Sequence, residues 1–234
     1  MGPGGRLALL DRCKDGTSRI RVGRIAAAGG IEGLRNLALS RPLLVKYLRW
    51  SADGQRLWAA EFTPTAGPDQ PVGSIVSIDV SNGQVNKRFA VDGAIDAAEL
   101  VGAIAVATRS RVSVHHTGTG AEIGSVAGGG ALAVSPDRSI VAVEAGSIDL
   151  LTASGDVSTL VEQSGRAQYL IYSPDGTVLV AVSEGPDGSE ALVITTTTGG
   201  AQRVVARGGD LSRPALSSDA PSSPTTRAAW SPTS

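Results

Sequence analysis

Tyr172-Ser173-Pro174-Asp175-Gly176 places an aromatic residue, serine, proline, aspartate and glycine in an order that recurs along the chain. Two further copies are Trp50-Ser51-Ala52-Asp53-Gly54 and Val134-Ser135-Pro136-Asp137-Arg138. A weaker copy reads Leu216-Ser217-Ser218-Asp219, and Trp230-Ser231-Pro232-Thr233 begins another. The serines of the first four copies are separated by 84, 38 and 44 residues. The first spacing is twice 42, which predicts an eroded copy near residues 93–96.

Each copy of the motif is predicted to join two strands. Aspartate bonds its own backbone and glycine accepts a positive φ, so the motif forms a tight turn. In the best unit the strands are predicted at Tyr47–Trp50, Arg56–Phe62, Ser74–Val80 and Val85–Val91, with the hairpin signal Asn82-Gly83 before the last. Four strands in about 40 residues are typical of a propeller blade. The sequence therefore predicts an all-β fold, a β-propeller of four-stranded blades.

The repeats predict about five blades within residues 1–210. Their bounds are about 6–42, 45–91, 94–128, 131–161 and 168–208. The third unit lacks the motif but keeps strands at 103–108 and 111–116. Residues 31–37 allow one or two helical turns, or a loop and the outer strand of the first blade, and the second interpretation is preferred.

Residues 211–234 differ from the repeats, because fourteen of these twenty-four residues are Ser, Thr or Pro. Two interpretations stay open. The chain stops part-way through a longer propeller, or residues 228–231 supply the missing first strand of the first blade. A closing strand of this kind would remove open sheet edges, which otherwise invite aggregation.

Composition agrees with a packed domain. Hydrophobic residues make up 41% of the chain and charged residues 18%, while aromatic residues are only 3%, so Val, Ile, Leu and Ala must fill the core. The single cysteine, Cys13, excludes an internal disulfide. As written, the sequence has no leader and no membrane span, which predicts a soluble cytoplasmic protein. A leader missing upstream would place it outside the cytoplasm.

Charge is distributed unevenly. Residues 1–50 hold ten Lys and Arg against three acidic residues, whereas residues 51–234 hold eleven against nineteen. One interpretation is an ordinary solvated surface. The other is a basic face for an acidic partner, or a segment that lay beside a membrane anchor. Basic residues are not interleaved with aromatic ones, so nucleic acid is not a predicted partner.

The Trp/Tyr-Ser-Pro-Asp-Gly units resemble the repeats of TolB-like, WD-repeat-like β-propellers over most of residues 45–232. The segment 77–85 also resembles repeats of bacterial surface and quinoprotein-like propellers. The chain departs from this pattern in its third unit and at Arg138, where glycine is usual. The resemblance implies a propeller that forms a protein-binding platform or accompanies a catalytic domain.

The sequence contains no residue pattern that clearly indicates a catalytic site. Of His115 and His116, only one can face a given site, because strand neighbours point to opposite faces. The glycines Gly118, Gly120 and Gly124 lack the spacing of a phosphate loop and fit hairpin turns. A ring of Asp53, Asp137 and Asp175 could hold calcium, but turn aspartates more often cap their own backbone. We therefore assign no catalytic, cofactor-binding or metal-binding residue and predict no cofactor.

The aromatic residues of the motif have two interpretations. They are exposed anchors for a partner, or they pack between blades; the second is preferred because each stands directly before the motif serine.

The leading functional hypothesis is a non-enzymatic scaffold that binds a protein or peptide through loops on one face. The alternatives are a lactonase- or quinoprotein-type enzyme with a site in the central channel, and a sensor separated from its catalytic partner. The structural motif residues are Trp50, Ser51, Asp53, Gly54, Ser135, Pro136, Asp137, Tyr172, Ser173, Pro174, Asp175, Gly176, Trp230, Ser231 and Pro232.

Overall fold

A computed structural model provides the coordinates of the chain. It describes residues 3–13, 17–27, 29–63, 72–128, 132–144, 147–162, 166–184, 189–199, 201–208 and 211. The predicted closing strand at 228–231 lies outside the described residues. In the described part the only helical segment is a short 3-10 turn at Pro3–Gly5, and no helix there is long and apolar enough to span a membrane.

The described residues form five antiparallel sheets in which consecutive strands are neighbours. The first sheet contains β1 (Arg6–Arg12), β2 (Ser18–Ile25) and β3 (Ile31–Asn36). The second contains β4 (Arg49–Trp50), β5 (Arg56–Thr63), β6 (Val72–Asp79) and β7 (Val85–Ala90). The third contains β8 (Asp96–Leu100), β9 (Ala103–Ala107), β10 (Arg111–His116) and β11 (Glu122–Ala127).

Two further sheets follow along the chain. The fourth contains β12 (Leu132–Val134), β13 (Ile140–Glu144), β14 (Ser147–Thr152) and β15 (Val157–Glu162). The fifth contains β16 (Arg166–Tyr172), β17 (Val178–Glu184), β18 (Glu190–Thr196) and β19 (Gln202–Gly208). The predicted all-β fold is confirmed, with four strands in four of the sheets and three described strands in the first. Residues 31–36 form a strand, as preferred, because β3 pairs with β2.

Contacts divide the chain into two compact units. The first comprises Met1–Gly129 with Thr152–Asp156, and the second Gly130–Leu151 with Val157–Ser234. In the first unit, one core cluster joins the first two sheets through residues such as Ile20, Val22 and Leu57. Another surrounds the fully buried Trp58 and includes Ile104 of the third sheet. In the second unit, Ile148, Leu170 and Leu179 lie in the core cluster.

The second strand of a four-stranded sheet is well buried and the last strand is exposed. All five residues of β9 are buried, whereas β11 alternates between exposed and half-buried positions. A register shift interrupts the pairing of the last two strands in each of the five sheets. Such a bulge twists the outer strand and disfavours the addition of another chain to its edge.

The third sheet differs from its sequence-based prediction in one respect. The eroded turn was expected near residues 93–96, but the turn between the first two strands lies at Val101 and Gly102. The reason is that β8 runs through Asp96–Leu100, with Ile95 already donating its backbone N–H to Ala107. Glycine at 102, with φ +73, makes this tight turn without serine or aspartate.

Candidate functional site

The first motif copy forms a hydrogen-bonded corner between β4 and β5. Ser51 Oγ donates to Asp53 Oδ1 at 2.5 Å and accepts the backbone N–H of Arg56 at 2.9 Å. The backbone N–H of Gln55 donates to the same aspartate oxygen at 2.8 Å. Gly54 has φ +65, which a side chain would strain. The side chains of Ser51 and Asp53 are thus hydrogen-bonded within the turn itself.

The second unit repeats this geometry at its two corners. Ser135 Oγ lies 2.6 Å from Asp137 Oδ1, and Ser173 Oγ lies 2.6 Å from Asp175 Oδ1. Each serine also accepts a backbone N–H from the following strand, at 3.1 and 2.9 Å. Arg138 takes the glycine position with φ +59, a left-handed conformation that a non-glycine residue adopts at a cost.

The corner aspartates are held in their charged form. Hydrogen bonds from the motif serine, and then from the backbone N–H two positions on, lower the pKa of Asp53, Asp137 and Asp175 below the usual value. The three carboxylates are exposed. Among the described residues, no three His, Cys, Asp or Glu side chains are grouped so that they could hold a metal ion.

We expect the urea midpoint of unfolding to fall as the pH decreases from about 6 to about 3. The folded-state pKa of these aspartates lies below the unfolded value, so their stabilisation is complete above the unfolded pKa and is lost as the pH falls through the folded one. The variant D53N/D137N/D175N should show a flatter profile over this range. Asp92→Asn is the control, because exposed Asp92 accepts no hydrogen bond within the described part. An equally steep profile for the triple variant would contradict this explanation.

The motif aromatics pack against core clusters in both units. Trp50 is half-buried against the cluster of the first two sheets, and Tyr172 packs against the core of the second unit. Burial, and then the nearby Asp137 carboxylate, raises the pKa of the Tyr172 hydroxyl to about 12. Trp230, Ser231 and Pro232 lie outside the described residues.

His115 and His116 occupy opposite faces of β10, one buried and the other exposed. His115 Nδ1 lies 3.0 Å from the Gly120 carbonyl oxygen, which only accepts, so Nδ1 carries the proton. His115 Nε2 then accepts the hydroxyl of Ser113 at 2.7 Å. This resembles a nucleophile and its base, but Ser113 is 0% exposed and cannot meet a substrate.

A cleft of about 400 Å³ adjoins this histidine in the first unit. Arg111 forms an ion pair with Glu122 on its wall. The ring of His115 lies 5.2 Å from that of Phe89, centroid to centroid, which fixes its orientation. The cleft is open to solvent, and most of its lining residues are polar. Its lining comprises Ala90, Val91, Asp92, Thr108, Ser110, Arg111, His115 and Glu122.

The glycines after β10 lie in and beyond its hairpin. Gly120 has φ +71, and its carbonyl oxygen accepts the hydrogen bond from His115 Nδ1–H. A Cβ on Gly120 would lie only 2.6 Å from Phe89 Cβ. Glycine is therefore required here for close packing of the hairpin.

Cys13 is half-buried, and its backbone N–H donates to the carbonyl oxygen of Thr17.

A partly buried ion pair joins the first strands of the second and third sheets. Arg49 Nη2 lies 2.6 Å from Asp96 Oδ2, and a second bond runs from Arg49 Nε at 3.2 Å. Burial opposes the charge of Arg49, but the Asp96 carboxylate outweighs it and raises the pKa of the guanidinium. Glu99 on the same strand as Asp96 accepts the backbone N–H of Ala52 at 2.6 Å. These polar groups fasten the two sheets together.

Exposed positive charge is concentrated on the first sheet. Its three strands carry six arginines and two acidic residues. Arg12, Arg19 and Arg24 are exposed, and none has a hydrogen-bond or ion-pair partner in the part of the chain that is described. The excess of basic residues before residue 50 is evident in the sequence, but its position on one sheet is not. The alternation of arginine with Ile20 and Val22 along β2 was the signal that could have indicated this position.

No protein-family model and no curated protein sequence matches this chain. Solved structures do match, among them hydrazine synthase of Kuenenia stuttgartiensis, with TM-score 0.57, 17% identity and 88% of this chain covered. A putative 6-phosphogluconolactonase of Bacteroides fragilis matches with TM-score 0.52, 13% identity and 84% coverage. Sqt1 of Chaetomium thermophilum, bound to the N-terminus of ribosomal protein L10, matches with TM-score 0.54, 19% identity and 86% coverage.

The chain spans 64% of the hydrazine synthase chain, 68% of the lactonase chain and 58% of the Sqt1 chain. Matches extend to 749 chains of solved structures, and the three described have unrelated functions. The likeness therefore establishes a fold and not an activity. The chain has a β-propeller fold, as its repeats predict.

Proposed function

We propose that this chain is a non-enzymatic binding module, a propeller of the TolB-like or WD-repeat-like kind that engages a protein or peptide partner. The carrying observation is the set of exposed arginines Arg12, Arg19 and Arg24 on the first sheet, which have no partner among the described residues. A charged side chain without an internal partner stabilises the fold little and remains available to another molecule.

Two further observations support this proposal. The serine and histidine that come closest to a catalytic pair are buried and bonded to each other, which suits packing better than turnover. Sqt1, a propeller similar in fold, is described as bound to the N-terminus of a ribosomal protein. A protein partner is therefore within the known use of this fold.

The test is affinity capture of partners by the purified full chain from cells that express it. We expect at least one protein to bind the native chain and to be lost with the variant R12E/R19E/R24E. The matched control K87E/R109E/R207E makes the same change of charge at exposed residues elsewhere. Recovery of no protein by the native chain would refute the proposal, as would equal loss with both variants.

An enzyme of lactonase type is the second candidate, and the cleft beside His115 and Arg111 is the observation that favours it. Hydrolysis of a sugar lactone by the purified chain, followed by proton release, tests this function. Under the binding proposal we expect no turnover above background. Turnover that is abolished by His115→Gln, in a variant with unchanged circular dichroism, would instead establish the enzyme.

A further inference from the structure

One face of the first sheet combines exposed apolar and cationic side chains. Ile20 and Val22 of β2 point into the core, so the alternating positions Arg19, Arg21 and Gly23 lie on the opposite face. A Cβ on Gly23 would lie 3.3 Å from Leu34 Cδ1, which places the Leu34 side chain over Gly23 on that face.

Two isoleucines extend this apolar surface. Ile25 follows Gly23 by two positions and therefore shares its face, and Ile31 is its direct partner on β3. Ile31 is 55% exposed and Leu34 is 39% exposed, both high values for large aliphatic side chains. We name the surface formed by Arg19, Arg21, Ile25, Ile31 and Leu34 the β2–β3 patch.

The cationic part of the β2–β3 patch exceeds its internal anions. Arg21 binds Asp11 through two bonds, at 2.9 and 3.2 Å. Arg19 is exposed with no partner in the described ranges. Within the described part of the chain, the patch thus offers a guanidinium without an internal anion next to aliphatic side chains. A guanidinium binds carboxylates through a planar pair of donors, which predicts an acidic ligand.

The backbone of β3 is poorly suited to pair with an added strand. An extra residue of β3 interrupts its pairing with β2, and Gly33 has φ +60 at that point. A bulged, twisted edge presents its N–H and C=O groups out of line with a flat partner. Recognition must therefore come from side chains on the sheet face rather than from strand addition.

We infer that the β2–β3 patch docks a short acidic segment of a partner protein, an inference that rests on the proposed binding function. Its carboxylates bind Arg19, beside the Arg21–Asp11 pair, and its aliphatic residues pack on Ile31 and Leu34. Nucleic acid fits less well, because β1, β2 and β3 contain no aromatic side chain on which bases could stack.

The experiment uses short fluorescein-labelled peptides in which glutamates are interrupted by two leucines at varied spacing, measured by fluorescence anisotropy with the full chain. We expect at least one peptide to bind, with affinity that decreases in high salt. One analogue replaces the glutamates with glutamine, and another replaces the leucines with alanine. Each should bind at least about tenfold more weakly.

Variants locate the site on the chain. Arg19→Glu and Leu34→Asp should each weaken peptide binding about tenfold or more. Lys87→Glu, an equal change of charge at an exposed residue of β7, should leave it unchanged. Leu34→Ser serves as a milder variant if Leu34→Asp alters the circular dichroism. Equal binding by the Arg19 and Lys87 variants would overturn the inference.

Other outcomes separate this inference from the proposed function. If cellular partners bind the native chain and the Arg19→Glu and Leu34→Asp variants equally, the patch is refuted while the binding function stands. If neither peptides nor cellular proteins bind, both are refuted. Tighter binding of labelled DNA than of any peptide would overturn the inference. So would a concentration-dependent dimer that Leu34→Asp dissociates, because the occupant would then be a second copy of the chain.

Discussion

Replacing Gly83 with alanine is expected to lower the free energy of unfolding by about 3 kcal/mol, a large part of the stability of an ordinary domain. Gly83 lies in the hairpin between β6 and β7 with φ +74, a conformation that costs other residues about 1–2 kcal/mol. An added Cβ would also lie 1.8 Å from the carbonyl oxygen of Ala38, so the backbone must move.

That movement would disturb the connection between the first two sheets. The Gly83 carbonyl accepts the backbone N–H of Ser40 at 3.0 Å, and Ser40 Oγ accepts the backbone N–H of Val85 at 2.9 Å. Displacing residues 38–40 would lengthen both bonds. Overpacking of this kind adds about 1–3 kcal/mol to the cost of the backbone conformation alone.

Gly102→Ala is the matched control for this prediction. Gly102 has φ +73, but a Cβ there would meet no atom within 4 Å. The free energy of unfolding of the control should therefore fall only by the cost of the backbone conformation, about 1–2 kcal/mol. Thermal unfolding distinguishes the two variants, because each kcal/mol corresponds to about 2–4 °C in a chain of this size. Equal melting temperatures would show that the contact with Ala38 is unimportant.

Local patterns predicted much of the fold because the signals lie within a few residues. Ser51, Asp53 and Gly54 specify their corner through bonds that span at most five positions. Asn82-Gly83 likewise predicted the hairpin before β7, because glycine tolerates a positive φ wherever it stands in the chain. The approach of Gly83 to Ala38 depends on packing between two sheets, and no spacing in the sequence signals it.

The candidate site was predicted less well, for the same physical reason. The excess of basic residues before residue 50 was evident, but its effect depends on which face of β2 each arginine occupies. Ser113 and His115 are two positions apart on a strand and so share a face, which could have predicted their hydrogen bond. That both are buried follows only from the neighbouring strands and from Phe89.

Removing the Asp96 carboxylate is expected to cost about 2–4 kcal/mol, the second large effect on stability. The Asp96 side chain is only 7% exposed, whereas that of Arg49 is 37% exposed, so solvent screens part of the remaining charge. Asp96→Ala would leave the guanidinium of Arg49 without its anion and the backbone N–H of Ala97 without its acceptor at 2.9 Å. Urea unfolding of the variant measures the loss.

Asp11→Ala is the control, because Asp11 binds Arg21 with similar geometry on the surface. There the two side chains are 43% and 36% exposed, and exposed pairs contribute about 0–1 kcal/mol. The double variant R49M/D96L should recover part of the stability lost in Asp96→Ala, since it leaves no unpaired charge. If Asp96→Ala and Asp11→Ala lose equal stability, burial does not govern the strength of these pairs. If the double variant is less stable than Asp96→Ala, the unpaired guanidinium is not the source of the cost.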